Sequence, residues 1–145
     1  MRISDLLRDK GSAVATVSPT TSISDLLGVL SEYNIGATVV TDGDGADNVV
    51  GIVSERDIVR RLHESGAALL GAAVGEIMTR DVVTCSPGDS VDSLAATMTE
   101  RRIRHMPVVS SGQLVGIVSI GDVVKSRISQ LESDREQLES YIAQG

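Results

Sequence analysis

Two stretches of the chain place a hydroxyl and a carboxylate three residues apart, behind a glycine and two aliphatic residues. They are the segments 51–57, GIVSERD, and 116–122, GIVSIGD. An apolar run that meets a serine reads as a strand ending where a helix begins. At such a junction Asp57 and Asp122 have two open roles. Each carboxylate can accept both hydrogen bonds of a ribose diol, while the neighbouring Ser54 or Ser119 hydroxyl and the helix N-terminal amides hold a phosphate. Equally, Ser-x-x-Asp is a helix capping box, in which the hydroxyl and the carboxylate satisfy each other's backbone amides. Arg104 and His105, just ahead of Met106-Pro107, pair a cation with a second donor at a strand entrance, which suits a phosphate group. Their competing role is that of a basic helix end, because Arg101 and Arg102 precede them and a helix C-terminus favours cations.

The remaining chemistry is thin. Ser119, His105 and Asp122 have the residue types of a triad but no nucleophile-elbow context. The two histidines, His63 and His105, and the single Cys85 are too few and too scattered for a metal site. Cys85 reads as a small strand residue. The sequence therefore points away from an enzyme, and no metal is expected.

The elements that carry these residues recur. The two GIVSxxD turns are offset by 116 − 51 = 65 residues, and Pro19 and Pro87 by 87 − 19 = 68. Ser4-Asp5-Leu6-Leu7 loosely matches Gly75-Glu76-Ile77-Met78. In the first copy, periodicity and turn residues predict a strand over 14–17, then a helix capped by Thr21 or Ser22 with apolar positions Ile23, Leu26, Leu27 and Leu30. A strand over 37–41, a Gly/Asp-rich loop over 42–47, a strand over 49–53 and a helix from Ser54 follow. The second copy predicts strand 82–85, helix 91–102, strand 106–110, a turn at 111–112, strand 114–118 and a helix from Ser119. Residues 64–74 read as a small-residue linker with some helix. The start, MRISDLLRDKG, reads as a short amphipathic helix rather than a signal peptide.

The tail over 122–143 reads as one long helix. Val124, Ile128, Leu131, Leu138 and Ile142 follow a 4-3 spacing that Arg135 interrupts. An amphipathic helix folded onto its own domain and a short coiled coil both fit that pattern.

Composition narrows the class. The 145 residues carry a formal net charge of −7, which argues against broad attraction to nucleic acid or an anionic membrane. No apolar run approaches the roughly 18 residues of a membrane helix. One cysteine precludes an internal disulfide and suits a reducing, cytoplasmic compartment. With no Phe or Trp and only Tyr33 and Tyr141, the core must be aliphatic. A bound adenine would lie between side chains such as Ile52, Ile117 and Val14 rather than on a large ring.

The repeated apolar-Thr-x-x-Pro at 15–19 and 83–87, IRHMPVV at 103–109 and the twin GIVSxxD turns resemble a tandem pair of cystathionine-β-synthase (CBS) domains, over about residues 1–125. The resemblance implies an α/β fold of α+β type. Two β-α-β-β-α repeats, 1–66 and 67–125, would pack sheet to sheet with pseudo-twofold symmetry, followed by a helical extension over 126–145. It implies a regulatory protein with no required cofactor, which takes an adenosyl ligand (AMP, ADP, ATP, NAD or S-adenosylmethionine) in two inter-repeat clefts. It also implies a homodimer of four repeats, with an unidentified protein partner open. The alternative is an interaction or oligomerisation module with one or both clefts vestigial.

Carried onto this sequence, one cleft combines Ser119, Asp122, Arg104, His105, Met106, Pro107 and Ile117 with Thr16. The other combines Ser54, Asp57, Gly36, Ala37 and Ile52 with Thr84. Gly36 and Ala37 stand where the second copy has Arg104 and His105, so the second of these clefts is expected to lack cationic groups at that position.

Overall fold

A computed structural model of the protein describes residues 1–11, 14–42 and 48–144. Most of the expected Gly/Asp-rich loop, residues 43–47, lies outside them.

Helix α1, Ile3–Lys10, opens with the Asp5 carboxylate accepting from the Arg2 amide at 3.0 Å and ends at Gly11, whose φ of +96° suits glycine. Strand β1, Thr16–Val17, leads to α2, Ile23–Tyr33. Of the two cap candidates Ser22 serves: its Oγ accepts from the Asp25 amide at 3.1 Å. Ile23, Leu26 and Leu30 are buried, whereas Leu27 is 39% exposed, outside the buried stripe. Strands β2, Ala37–Thr41, and β3, Val49–Ser54, pair antiparallel and lead into α3, Glu55–Ser65. The linker forms two 3₁₀ turns, Gly66–Gly71 and Val74–Glu76. Then come α4, Val91–Arg101, the hairpin of β4, His105–Ser110, and β5, Gln113–Ser119, and α5, Ile120–Gln144. Ser111 and Gly112 both take positive φ in the hairpin turn, as a tight two-residue connection requires.

The first copy forms a three-stranded sheet, β1-β2-β3, with β1 parallel to β2. The second forms only the β4-β5 pair. The strand expected over 82–85 is reduced to one parallel bridge, Cys85 with Val108. Pro107 is the reason: it occupies the position of Val39 in the first copy and has no N–H to offer a second bridge. Its carbonyl still accepts from the Cys85 amide at 3.0 Å.

The two hydrophobic clusters do not follow chain order. Ile3, Leu6 and Leu7 of α1 pack with Val91, Leu94, Met98, Met106, Val108, Val118 and Val123 of the second copy. Leu69 and Val74 of the linker and Ile77 and Met78 of the opening that follows it pack with Ile23, Leu26, Val40, Val53 and Ile58 of the first. The backbone bonds that dock the two lead-ins are matched pairs. Val91 N donates to Met1 O at 3.0 Å, and Ile23 N donates to Ala72 O at 2.9 Å. Ile3 N donates to Asp89 O at 2.9 Å, and Val74 N donates to Thr21 O at 2.8 Å.

This docking explains the glycine that opens each repeated turn. A Cβ on Gly51 would stand 2.6 Å from the Met78 Sδ, and one on Gly116 would stand 2.7 Å from the Leu7 Cδ2. Each lead-in presses an aliphatic side chain onto the bare backbone of one GIVS strand.

Candidate functional site

Ser54 closes β3 and Asp57 lies in the first turn of α3. Ser54 donates to Asp57 Oδ2 from its amide at 2.9 Å and from its hydroxyl at 3.0 Å, and the Asp57 amide donates back to Ser54 Oγ at 3.4 Å. The capping box is thus formed, and it fixes the carboxylate at the positive end of α3. Ala37 pairs with Ser54 across the sheet, and the Glu55 amide donates to the Gly36 carbonyl at 2.9 Å. Gly36, Ala37, Ile52, Ser54 and Asp57 therefore meet at one sheet end.

They line a cleft of about 390 Å³. Its apolar wall is Ile52 with Val82, Val83 and Ile103. Four arginines border it: Arg56 and Arg60 from α3, and Arg102 and Arg104 from the entrance to β4, with His105 beside them. Glu55, Asp57 and Asp81 supply the acidic side. Burial holds the His105 imidazole below its ordinary pKa of 6.5; the Lys10 and Arg104 charges add to this, and Asp122 and Glu55 oppose it. A neutral imidazole results, able to accept as well as donate.

Arg104 and His105 stand at the Ser119–Asp122 sheet end, with His105 opposite Ser119 and the Ile120 amide donating to the Arg104 carbonyl at 2.8 Å. The sequence expectation did not include their second neighbourhood: they also border the Asp57 cleft, and so supply it with the cations that Gly36 and Ala37 lack. The cleft lies between the copies, so the strand entrance of one faces the helix start of the other. Thr84 and Thr16 are exposed and do not border this cleft; Val82 and Val83 face it instead. Met106 is 1% exposed and packs in the second core cluster, next to the buried Pro107.

Ser119 and Asp122 form their own capping box, with Ser119 N donating to Asp122 Oδ2 at 2.8 Å and Asp122 N to Ser119 Oγ at 3.1 Å. Here a residue that sequence reasoning missed intervenes. The Lys10 ammonium donates to Asp122 Oδ2 and to the Ile117 carbonyl, both at 2.6 Å. Arg60, Arg102 and Asp81 were also missed as cleft residues. Arg60 had a signal, standing one turn beyond Arg56 on the helix that Asp57 opens. Among the described residues no His/Cys/Asp/Glu cluster is placed to hold a metal ion, and no helix is long and apolar enough to cross a membrane.

Comparison with known proteins agrees with the duplicated architecture. The profile of the CBS domain matches twice, at residues 3–64 and 74–129. The mitochondrial CBS domain-containing protein CBSX3 of Arabidopsis thaliana is 32% identical over 151 residues, covering 99% of this chain and 72% of that protein. The crystal structure of the CBS-domain protein ATU1752 from Agrobacterium tumefaciens superposes with a TM-score of 0.83 at 47% identity, covering 88% of this chain and 99% of that one. The CBS domain pair of protein MJ0100, solved in complex with 5′-methylthioadenosine and S-adenosyl-L-methionine, gives a TM-score of 0.79 at 27% identity, over 90% of this chain and 98% of that one. This chain belongs to the CBS-domain family and carries two CBS domains in tandem.

Proposed function

We propose that this protein is a regulatory, non-catalytic CBS pair that binds an adenosyl ligand in the cleft bordered by Ser54, Asp57 and Arg104. The observation that carries the reading is the meeting of three features in about 390 Å³. A capped carboxylate stands at a helix N-terminus, guanidinium groups from both copies border the opening, and aliphatic walls lie between them. The volume falls within the range of small-molecule pockets, roughly 300–1,000 Å³. Ser54 engages Asp57 Oδ2, which leaves Oδ1 for a ribose hydroxyl. The α3 amides with Arg56, Arg60 and Arg104 favour phosphate oxygens, and adenine would fit against Ile52, Val82 and Val83. That a solved CBS pair holds methylthioadenosine and S-adenosylmethionine supports the adenosyl class; AMP, ADP, ATP, NAD and S-adenosylmethionine are the candidates. The lone, buried Cys85 suits a reducing compartment, the cytoplasm in this reading. The test is calorimetric titration of ligand-stripped protein with AMP, ATP, NAD and S-adenosylmethionine. At least one binds; silence from all four ends the reading.

A second reading, self-association through the tail as a homodimer, is favoured by one observation. Along α5 the side chains of Ile128, Leu131, Leu138 and Ile142 are 52%, 66%, 61% and 67% exposed. They keep the 4-3 spacing, with Arg135 between them paired to Glu139 at 3.1 Å.

A further inference from the structure

The two lead-in segments are equivalent in the fold but differ in length. From Leu7 to Thr16 is 16 − 7 = 9 residues, and from the matching Met78 to Thr84 is 84 − 78 = 6. In the shorter segment, Thr79 and Ile52 exchange two backbone hydrogen bonds, at 3.0 and 2.8 Å. Ile117 is the counterpart of Ile52, at 117 − 52 = 65. In the longer segment α1 runs on to Lys10, and the Ile117 carbonyl accepts from the Lys10 ammonium at 2.6 Å.

The same ammonium reaches Asp122 Oδ2 at 2.6 Å, with the two side chains 33% and 22% exposed. Asp122 is the counterpart of Asp57, yet no cation stands within salt-bridge distance of Asp57 among the described ion pairs. The clamp is anchored at its far end. Ile3, Leu6 and Leu7 lie in the second core cluster, and the Ile3 and Ser4 amides donate to Asp89 and Pro87 carbonyls, both at 2.9 Å. Lys10 is therefore presented by a docked helix and is not a free surface side chain. The effect on Asp122 agrees: burial raises its pKa, but the hydrogen bond from Lys10, the Ser119 amide and the Lys10 charge outweigh it, so the carboxyl stays below its ordinary value of 3.8.

We propose that Lys10 sets the ligand occupancy of this CBS pair: its ammonium fills the place of a ligand at the Asp122 carboxylate, so the protein takes one adenosyl ligand per chain, at Asp57. The inference rests on the adenosyl reading of the clefts. A ribose diol offers two neutral donors to the carboxylate, and the ammonium already offers a charged one, the stronger kind of hydrogen bond. A ligand at Asp122 must displace it before gaining anything.

The test compares binding stoichiometry in wild type, Lys10→Met and Lys10→Met/Asp122→Ala, titrated calorimetrically with S-adenosylmethionine and, separately, AMP. The expected result is one ligand per chain in wild type, two in Lys10→Met and one again in the double variant. Two ligands in wild type, an unchanged single site in Lys10→Met, or weaker binding in Lys10→Met at the existing site would each overturn the inference while leaving the adenosyl reading intact. The same titrations are run with ATP and NAD; no binding of any of the four ligands to any of the three proteins refutes the adenosyl reading, and this inference falls with it.

Discussion

At the residue scale, capping and ligand binding are not rivals. Both Ser-x-x-Asp turns form the box, and the box is what aims each carboxylate at its helix start. What distinguishes the turns is the neighbour: Lys10 at Asp122, open cleft at Asp57. His105 stands near both, and its depressed pKa has a measurable consequence. The folded state prefers the neutral ring, so between the folded pKa and 6.5 the unfolded chain binds more protons. The contribution is intact above 6.5 and is lost as pH falls through that value toward the folded pKa. Denaturant unfolding at pH 5, 6 and 7 is expected to show wild type losing more stability toward pH 5 than His105→Gln. Equal losses would mean that the ring is not held neutral by its site.

The elements were largely legible because local rules fixed them. Ser22 and Ser90 start helices, the Ser111-Gly112 turn joins β4 to β5, and the aliphatic runs of β2, β3 and β5 fall where the sequence places them. The exception, strand 82–85, failed through a partner: Pro107 is 22 residues away from Cys85 and withholds the N–H that the ladder needs. The lead-ins were read as loosely similar openings, but their role is specific, since each covers a glycine of a GIVS strand. Gly116→Ala pushes a methyl group against Leu7 and is expected to destabilise by about 1–3 kcal/mol, as overpacking does. Adding Leu7→Ala to Gly116→Ala vacates that space, so the double variant should lose less than the sum of the two single losses. Strict additivity in thermal or denaturant unfolding would show that the two positions do not touch.

For the whole molecule, the sequence could find two copies but not how they share a cleft. Arg104 and His105 adjoin Ser119 through the β4-β5 pairing, where His105 is opposite Ser119, so chain logic assigned them to Asp122. Only the packing of one copy on the other brings them to Ser54 and Asp57. Lys10 was invisible for the same reason, lying 112 residues from Asp122. The tail raises a separate question of assembly. Val123 is the buried residue of α5, and neither core cluster extends beyond it, so deleting residues 130–145 should leave the melting temperature within a few degrees of wild type while abolishing any homodimer. Sedimentation of the truncated and full chains checks this; an unchanged dimer would place the interface elsewhere.

The central claim is that the ligand seats at Asp57, and it is tested most directly by calorimetry on wild type beside Asp57→Ala and Asp122→Ala. The account predicts that Asp57→Ala weakens adenosyl-ligand binding by at least about tenfold, a loss of roughly 1.4 kcal/mol, while Asp122→Ala, whose carboxylate is held by Lys10, leaves the affinity nearly unchanged. Loss of binding in Asp122→Ala with full binding in Asp57→Ala would contradict it.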